Sequence, residues 1–136
     1  MSFGFSVGDI LTVSQLAVKV YTAYKDAPDD YKHIAEEVDS LQSMFTRAVQ
    51  HSQSTTLSDD DRQEGQKVLK GCQSVLGDLN SLIEKYKSLA SANKNQAFMK
   101  VKLGTEDIAT LRARLGTNAT LLSSFIGRFD ISTITI

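Results

Sequence analysis

Apolar residues in the first 25 positions recur at steps of three and four, the pattern of one broad face of an α-helix. They are Val7, Ile10, Leu11, Val13, Leu16, Ala17, Val20, Tyr21 and Tyr24. Ser6 and Asp9 have the S-x-x-D spacing of a capping box, and Pro28 lacks the amide hydrogen that a continuing helix would donate. The pattern predicts a first helix from about Val7 to about Lys25.

A second apolar stripe predicts a helix that begins at or near Pro28, with Asp29 and Asp30 placed to complement the positive end of its dipole. The stripe fades after His51, and the polar residues 52–58 indicate a loop. Its members are Tyr31, Ile34, Ala35, Val38, Leu41, Phe45 and Ala48 or Val49.

A third stripe is regular enough for one helix of roughly 30 residues, and Ser58 with Asp61 repeats the S-x-x-D start. Its members are Val68, Leu69, Cys72, Val75, Leu76, Leu79, Leu82, Ile83, Tyr86 and Leu89. Gly65, Gly71 and Gly77 interrupt it, each at a cost of about 1 kcal/mol relative to alanine. Two explanations stay open: a neighbouring helix approaches closely there, or the glycines form a hinge.

A fourth helix is predicted after Thr105, an N-cap candidate followed by Glu106 and Asp107. Its core face is Ile108, Leu111, Leu115, Ala119, Leu122, Phe125 and Ile126. Residues 97–103 predict a short extra helical turn before it. Strand-like alternation occurs only at Ile131–Ile136. We therefore expect an all-α fold, an up-down four-helix bundle that forms a single domain over residues 1–136.

Few residues in the chain are suited to catalysis or metal binding. Cys72 is the single cysteine and lies on an apolar stripe, which predicts a small buried side chain and no internal disulfide. His33 and Glu37 lie one turn apart without a third ligand, so a solvent-side ion pair is favoured over a metal site. The chain has no G-x-S-x-G motif and no phosphate-binding glycine loop. We expect no enzyme activity, no metal and no cofactor.

Charge is divided unevenly along the chain. Residues 1–84 hold seven basic and thirteen acidic side chains, whereas residues 85–136 hold eight basic and three acidic ones. Within the second part, the lysines from Lys85 to Lys102 have no acidic residue among them. They form either a solvated face or a patch that binds anionic lipid headgroups through Lys94, Lys100 and Lys102. Nucleic acid is not expected, because no recognition motif accompanies them.

The first helix is neither a signal peptide nor a membrane span, since Asp9 and Lys19 interrupt its apolar run. Phe3 and Phe5 precede it on either side of a glycine, and each ring is worth roughly 2 kcal/mol if buried. The helix therefore forms one wall of the core, or it also contacts lipid. The membrane-contact candidates are Phe3, Phe5, Val7, Ile10 and Leu11.

Three sequence features resemble the N-terminal helical domain of fungal STAND receptors, the NLR-like proteins with HeLo-like four-helix bundles. They are the aromatic-glycine start Phe3-Gly4-Phe5, the turn Lys25-Asp26-Ala27-Pro28, and Gly104-Thr105-Glu106-Asp107 leading into Leu111-Arg112-Ala113-Arg114-Leu115. The resemblance spans nearly the whole chain.

That resemblance implies a cytoplasmic effector of regulated cell death, followed in a longer protein by a nucleotide-binding region. Self-association would bring the N-terminal helix to anionic lipids of the plasma membrane, which it would target or permeabilise. The alternative is an adaptor module of a STAND signalling protein, which recruits a second protein without touching lipid.

Overall fold

The computed structural model describes residues 6–27, 29–54, 57–90 and 108–134, and these form four α-helices and no strand. The helices are α1 (Val7–Tyr24), α2 (Asp29–Ser54), α3 (Asp59–Ala90) and α4 (Ile108–Ile134). The predicted all-α class is confirmed. The predicted turn at residues 97–103, the N-cap Thr105 and Pro28 lie outside the described residues.

The helix starts follow the local signals in the sequence. The amide of Asp9 donates to Oγ of Ser6 at 3.1 Å, and the Asp9 carboxylate accepts from the Ser6 amide, so the predicted capping box is present. The amide of Asp61 likewise donates to Oγ of Ser58. The predicted ends are less accurate: α2 continues through Ser54, and α4 extends through Ile134 in the segment with strand-like alternation. Adding a residue to an existing helix gains one hydrogen bond per residue fixed, which favours such extensions.

Helix directions alternate along the chain. Residues 25–28 and 55–58 are too short to run back along helices of 18 and 26 residues, so α1, α2 and α3 alternate. Arg128 of α4 pairs with Glu64 while Arg114 pairs with Asp78, which makes α3 and α4 antiparallel. α1 packs against α2 and α3, and α4 packs against the same two helices. Among the described residues, α2 and α3 make little direct contact, so these consecutive helices lie diagonally across the bundle.

The predicted stripes build the core. From α2, α3 and α4 come Tyr31, Ile34, Ala35, Val38, Leu41, Phe45, Ala48, Val68, Leu69, Cys72, Val75, Leu76, Leu79, Leu82, Ile83, Leu111, Leu115, Leu122, Phe125 and Ile126, all buried. The stripe predicted for α1 is too wide: Leu11 is 47% exposed, and Val7 is half-buried. A helix at a corner of a bundle buries only the arc that faces its two neighbours, so the flank of a broad apolar face stays in solvent.

The surroundings of Gly71 and Gly77 distinguish the two explanations for the glycines. A Cβ at Gly71 would overlap the Oδ1 atom of Asn118 on α4, and its distance to Cγ would be 3.2 Å. Close approach is therefore the reason for Gly71, although the neighbour is a side chain and not a helix backbone. A Cβ at Gly77 would meet no atom within 4 Å, so packing does not require that glycine.

Candidate functional site

α1 is the candidate functional element, and apolar side chains hold it in the bundle. Its core face consists of Ile10, Val13, Ala17, Val20 and Tyr24, each fully buried. Complete burial of a large apolar side chain is worth roughly 1.5–3 kcal/mol, so the four larger residues together contribute about 6–12 kcal/mol. That sum is comparable with the whole stability of a typical domain, about 5–15 kcal/mol. α1 is thus an integral part of the closed bundle.

Tyr24 gives α1 a buried polar contact at its C-terminal end. The Tyr24 hydroxyl donates a 2.7 Å hydrogen bond to the backbone oxygen of Leu79 on α3. Its ring stacks on Tyr31 of α2, with ring centroids 6.4 Å apart. Burial, and to a lesser degree the neighbouring Tyr31, raises the pKa of the Tyr24 hydroxyl well above its usual range. The neutral phenol therefore joins three helices at one point.

One flank of α1 leaves apolar surface in solvent. Leu11 is 47% exposed and Val18 is 42% exposed. Seven residues separate them, so they lie on the same side of the helix, two turns apart. Val18 was missed among the predicted contact residues, although its seven-residue spacing from Leu11 was visible in the sequence.

The other predicted site residues divide between the core and the undescribed part of the chain. Ile10 is fully buried and Val7 is half-buried in the first turn of α1. Phe3 and Phe5 lie outside the described residues, and so do Lys94, Lys100 and Lys102. Of the predicted membrane-contact residues in the described part, Leu11 alone is exposed in the closed bundle.

Arginines fasten α4 to both of its neighbours. Arg112 donates to Glu37 of α2 at 2.6 and 3.1 Å, and Arg114 donates to Asp78 of α3 at 2.8 Å. Near the C-terminal end of α4, Arg128 donates to Glu64 of α3 at 2.7 Å. The bonds to the Glu37 carboxylate raise the pKa of the Arg112 guanidinium, which stays charged. Leu-Arg-x-Arg-Leu, one of the motifs behind the family resemblance, thus contains two side chains that link α4 to different helices.

The predicted partner of Glu37 is wrong. Nδ1 of His33 lies 3.7 Å from the carboxylate of Glu36, its neighbour at three residues, while Glu37 turns toward Arg112. Glu37 sits between the apolar stripe of α2 and its solvent face, where α4 lies close enough to reach it. A guanidinium makes two hydrogen bonds to one carboxylate, which an exposed imidazole cannot match.

The described interior is apolar. Apart from the tyrosines Tyr24 and Tyr31, no polar or charged side chain is buried in the described part of the chain, and none of its buried side-chain nitrogen or oxygen atoms lacks a partner. Cys72 is fully buried as predicted, and burial raises the pKa of its thiol to about 12. Its Sγ faces the backbone oxygen of Asn118 at 4.0 Å, which places it at the seam between α3 and α4.

Comparison with known proteins finds no matching family model, and no curated protein or solved structure matches the chain significantly. Within the described residues, none of the helices combines the length and apolarity needed to cross a bilayer. This applies to α1 as well, whose sequence includes Asp9 and Lys19.

Proposed function

We propose that this chain is a membrane-directed effector of regulated cell death, of the kind found at the N-terminus of fungal NLR-like receptors. In the resting protein α1 is docked on α2 and α3. Self-association, driven by a nucleotide-binding region elsewhere in a longer chain, brings several copies to the plasma membrane, where α1 leaves its bundle. The observation that carries the proposal is the apolar core face of α1, since lipid accepts such side chains as a protein core does.

The burial energies of the apolar side chains show what the release of α1 from the bundle requires. The two phenylalanines ahead of α1 return only about 2 kcal/mol each in lipid, less than the about 6–12 kcal/mol held by the core face of α1. A stable open state therefore requires that the core face be buried again, and a monomer in water, in which α1 can open only transiently, offers no place for it. With Asp9 and Lys19 on its polar side, α1 suits a position along the membrane surface, with its apolar face toward the acyl chains.

The first test is dye release from anionic liposomes by the 136-residue chain, alone and fused to an inducible oligomerisation module. Leu11→Glu should reduce release severalfold without changing the melting temperature, because Leu11 is already exposed in the bundle. Thr12→Glu is the matched control: it adds the same charge at an exposed polar position about 100° around the helix from Leu11, on the side of Asp9 and Lys19, and should keep release intact.

The residues outside the described part are tested in the same assay. Phe3→Glu combined with Phe5→Glu should abolish membrane association and leave the helical content unchanged. Replacing Lys94, Lys100 and Lys102 by glutamate should weaken binding to anionic vesicles and spare neutral ones, since a basic patch acts through salt-screened attraction.

The competing function is an adaptor whose exposed Leu11 and Val18 recruit a second protein. Wild-type release and vesicle binding by both Leu11→Glu and the Phe3/Phe5 double variant would contradict the membrane mechanism. Saturable binding to protein alone, lost on Leu11→Glu and kept on Thr12→Glu, would then establish the adaptor.

A further inference from the structure

The polar contacts of α1 and α4 are placed differently. α4 is joined to α2 and α3 by Arg112, Arg114 and Arg128, which are spread along its length. In α1, the buried contact of Tyr24 lies in the last turn, and the Lys19–Glu84 pair is 3.6 Å long with both side chains about 60% exposed. Exposed ion pairs contribute little, so the Tyr24 hydrogen bond is a buried directional restraint on α1.

The Tyr24 hydrogen bond is sensitive to movement of α1. The hydroxyl stands at the far end of a long side chain and reaches the backbone of another helix. α1 is one continuous helix, so lifting its core face off α2 and α3 also displaces Tyr24 in its last turn. A displacement of the last turn carries the hydroxyl beyond hydrogen-bonding distance from Leu79, while apolar contacts weaken gradually.

We propose that Tyr24 is the latch of the closed bundle and that opening begins with loss of α1 from a unit of α2, α3 and α4 that stays assembled. This deepens the proposed function by naming what restrains the effector helix before activation. The latch concerns the protein in water, so its test uses no membrane and can fail or succeed independently of the liposome assay.

The test is native-state thiol labelling of Val13→Cys, read at two sites in one protein by peptide mass spectrometry. Position 13 lies on the core face of α1, and native Cys72 lies at the α3–α4 seam. If α1 opens alone, position 13 reacts faster than Cys72, because the Cys72 thiol becomes accessible only when the whole bundle unfolds. Adding Tyr24→Phe should speed labelling at position 13 about fivefold, equivalent to the roughly 1 kcal/mol of a net hydrogen bond.

Two controls separate the latch from general stability. Ile126→Val on α4 weakens the three-helix unit and should speed labelling at Cys72 at least twofold, with position 13 unchanged. Tyr21→Phe removes a hydroxyl from a half-buried position of the same helix and should change neither site.

Either of two results would overturn the proposal. Equal rates at position 13 and Cys72, rising together in Ile126→Val, would mean that α1 opens only when the whole bundle unfolds. Faster labelling at position 13 that Tyr24→Phe leaves unchanged would mean that the hydroxyl of Tyr24 does not restrain α1.

Discussion

At the scale of single residues, identical side chains in this bundle have different roles, and the local environment decides which. Gly71 lies against the Asn118 side chain, which is held in turn because its Nδ2 donates to the Arg114 backbone oxygen at 2.8 Å. Gly77, six residues later on the same helix, faces open space. The first glycine is therefore required by packing, and the second only weakens the helix.

Substitution by alanine should separate the two glycines. Gly77→Ala should raise the free energy of unfolding by about 0.5–1 kcal/mol, since alanine favours the helix and its Cβ meets nothing. Gly71→Ala should lose this gain and be destabilising, because its Cβ displaces Asn118. Urea titration measures both, and adding Asn118→Ala should recover most of the loss at Gly71. Equal stabilisation by both alanines would contradict the close approach.

At the scale of elements, α4 combines two kinds of attachment in five residues. Leu111 and Leu115 are one turn apart and enter the core, while Arg112 and Arg114 lie on either side and reach Glu37 and Asp78. The arginines and their partners are between about one third and one half exposed, so solvent screens the pairs. Packing therefore holds α4 in place, and the arginines fix its position between its neighbours.

Alanine substitutions should show that apolar packing stabilises α4 more than its arginine pairs do. Leu115→Ala should lower the free energy of unfolding by roughly 2–5 kcal/mol, and Leu76→Ala on α3 should behave alike, as core truncations do. Arg112→Ala should cost at most about 1 kcal/mol, in line with a partly exposed pair. Leu121→Ala is the matched control: Leu121 is 49% exposed and should change stability by about 0.5 kcal/mol or less. A Leu115→Ala loss as small as that of Leu121→Ala would mean that the assigned core face of α4 is incorrect.

At the scale of the whole molecule, the interior is built almost entirely from interchangeable apolar contacts, with ionisable groups that must stay neutral. Tyr24 and Cys72 both have a raised pKa because burial disfavours their charged forms. The folded state thus binds these protons more tightly than the unfolded chain does. The stability that they confer is present below their unfolded pKa values and is lost as the pH rises above them.

Alkaline pH should therefore destabilise the bundle. The pKa of Cys72 rises from 9.0 to about 12 on folding, so its part of the free energy of unfolding should fall between those pH values, by up to about 1.4 kcal/mol per pH unit. Urea titrations between pH 8 and 11 measure the slope. Cys72→Ala should flatten it, and an unchanged slope would show that the thiol does not ionise on unfolding.

Features that depend on a few neighbouring residues could be predicted from the sequence. Ser6 with Asp9 and Ser58 with Asp61 predicted two helix starts, and the spacing of apolar residues predicted nearly every core position of α2, α3 and α4. Capping bonds and helical periodicity act within one or two turns, so they can be read from the chain directly.

Which helix surfaces contact each other could be learned only from the packed bundle. An apolar stripe shows which face of a helix is buried, but that face can pack against the apolar stripe of any other helix. The diagonal placement of α2 and α3 could therefore not be predicted. The same holds for Arg112 beside Glu37, 75 residues earlier, and for the Tyr24 hydroxyl on the backbone of Leu79. Leu11 was predicted as part of the apolar face, but its exposure depends on α1 occupying a corner of the bundle. These contacts join distant residues, and they exist only after the helices have packed.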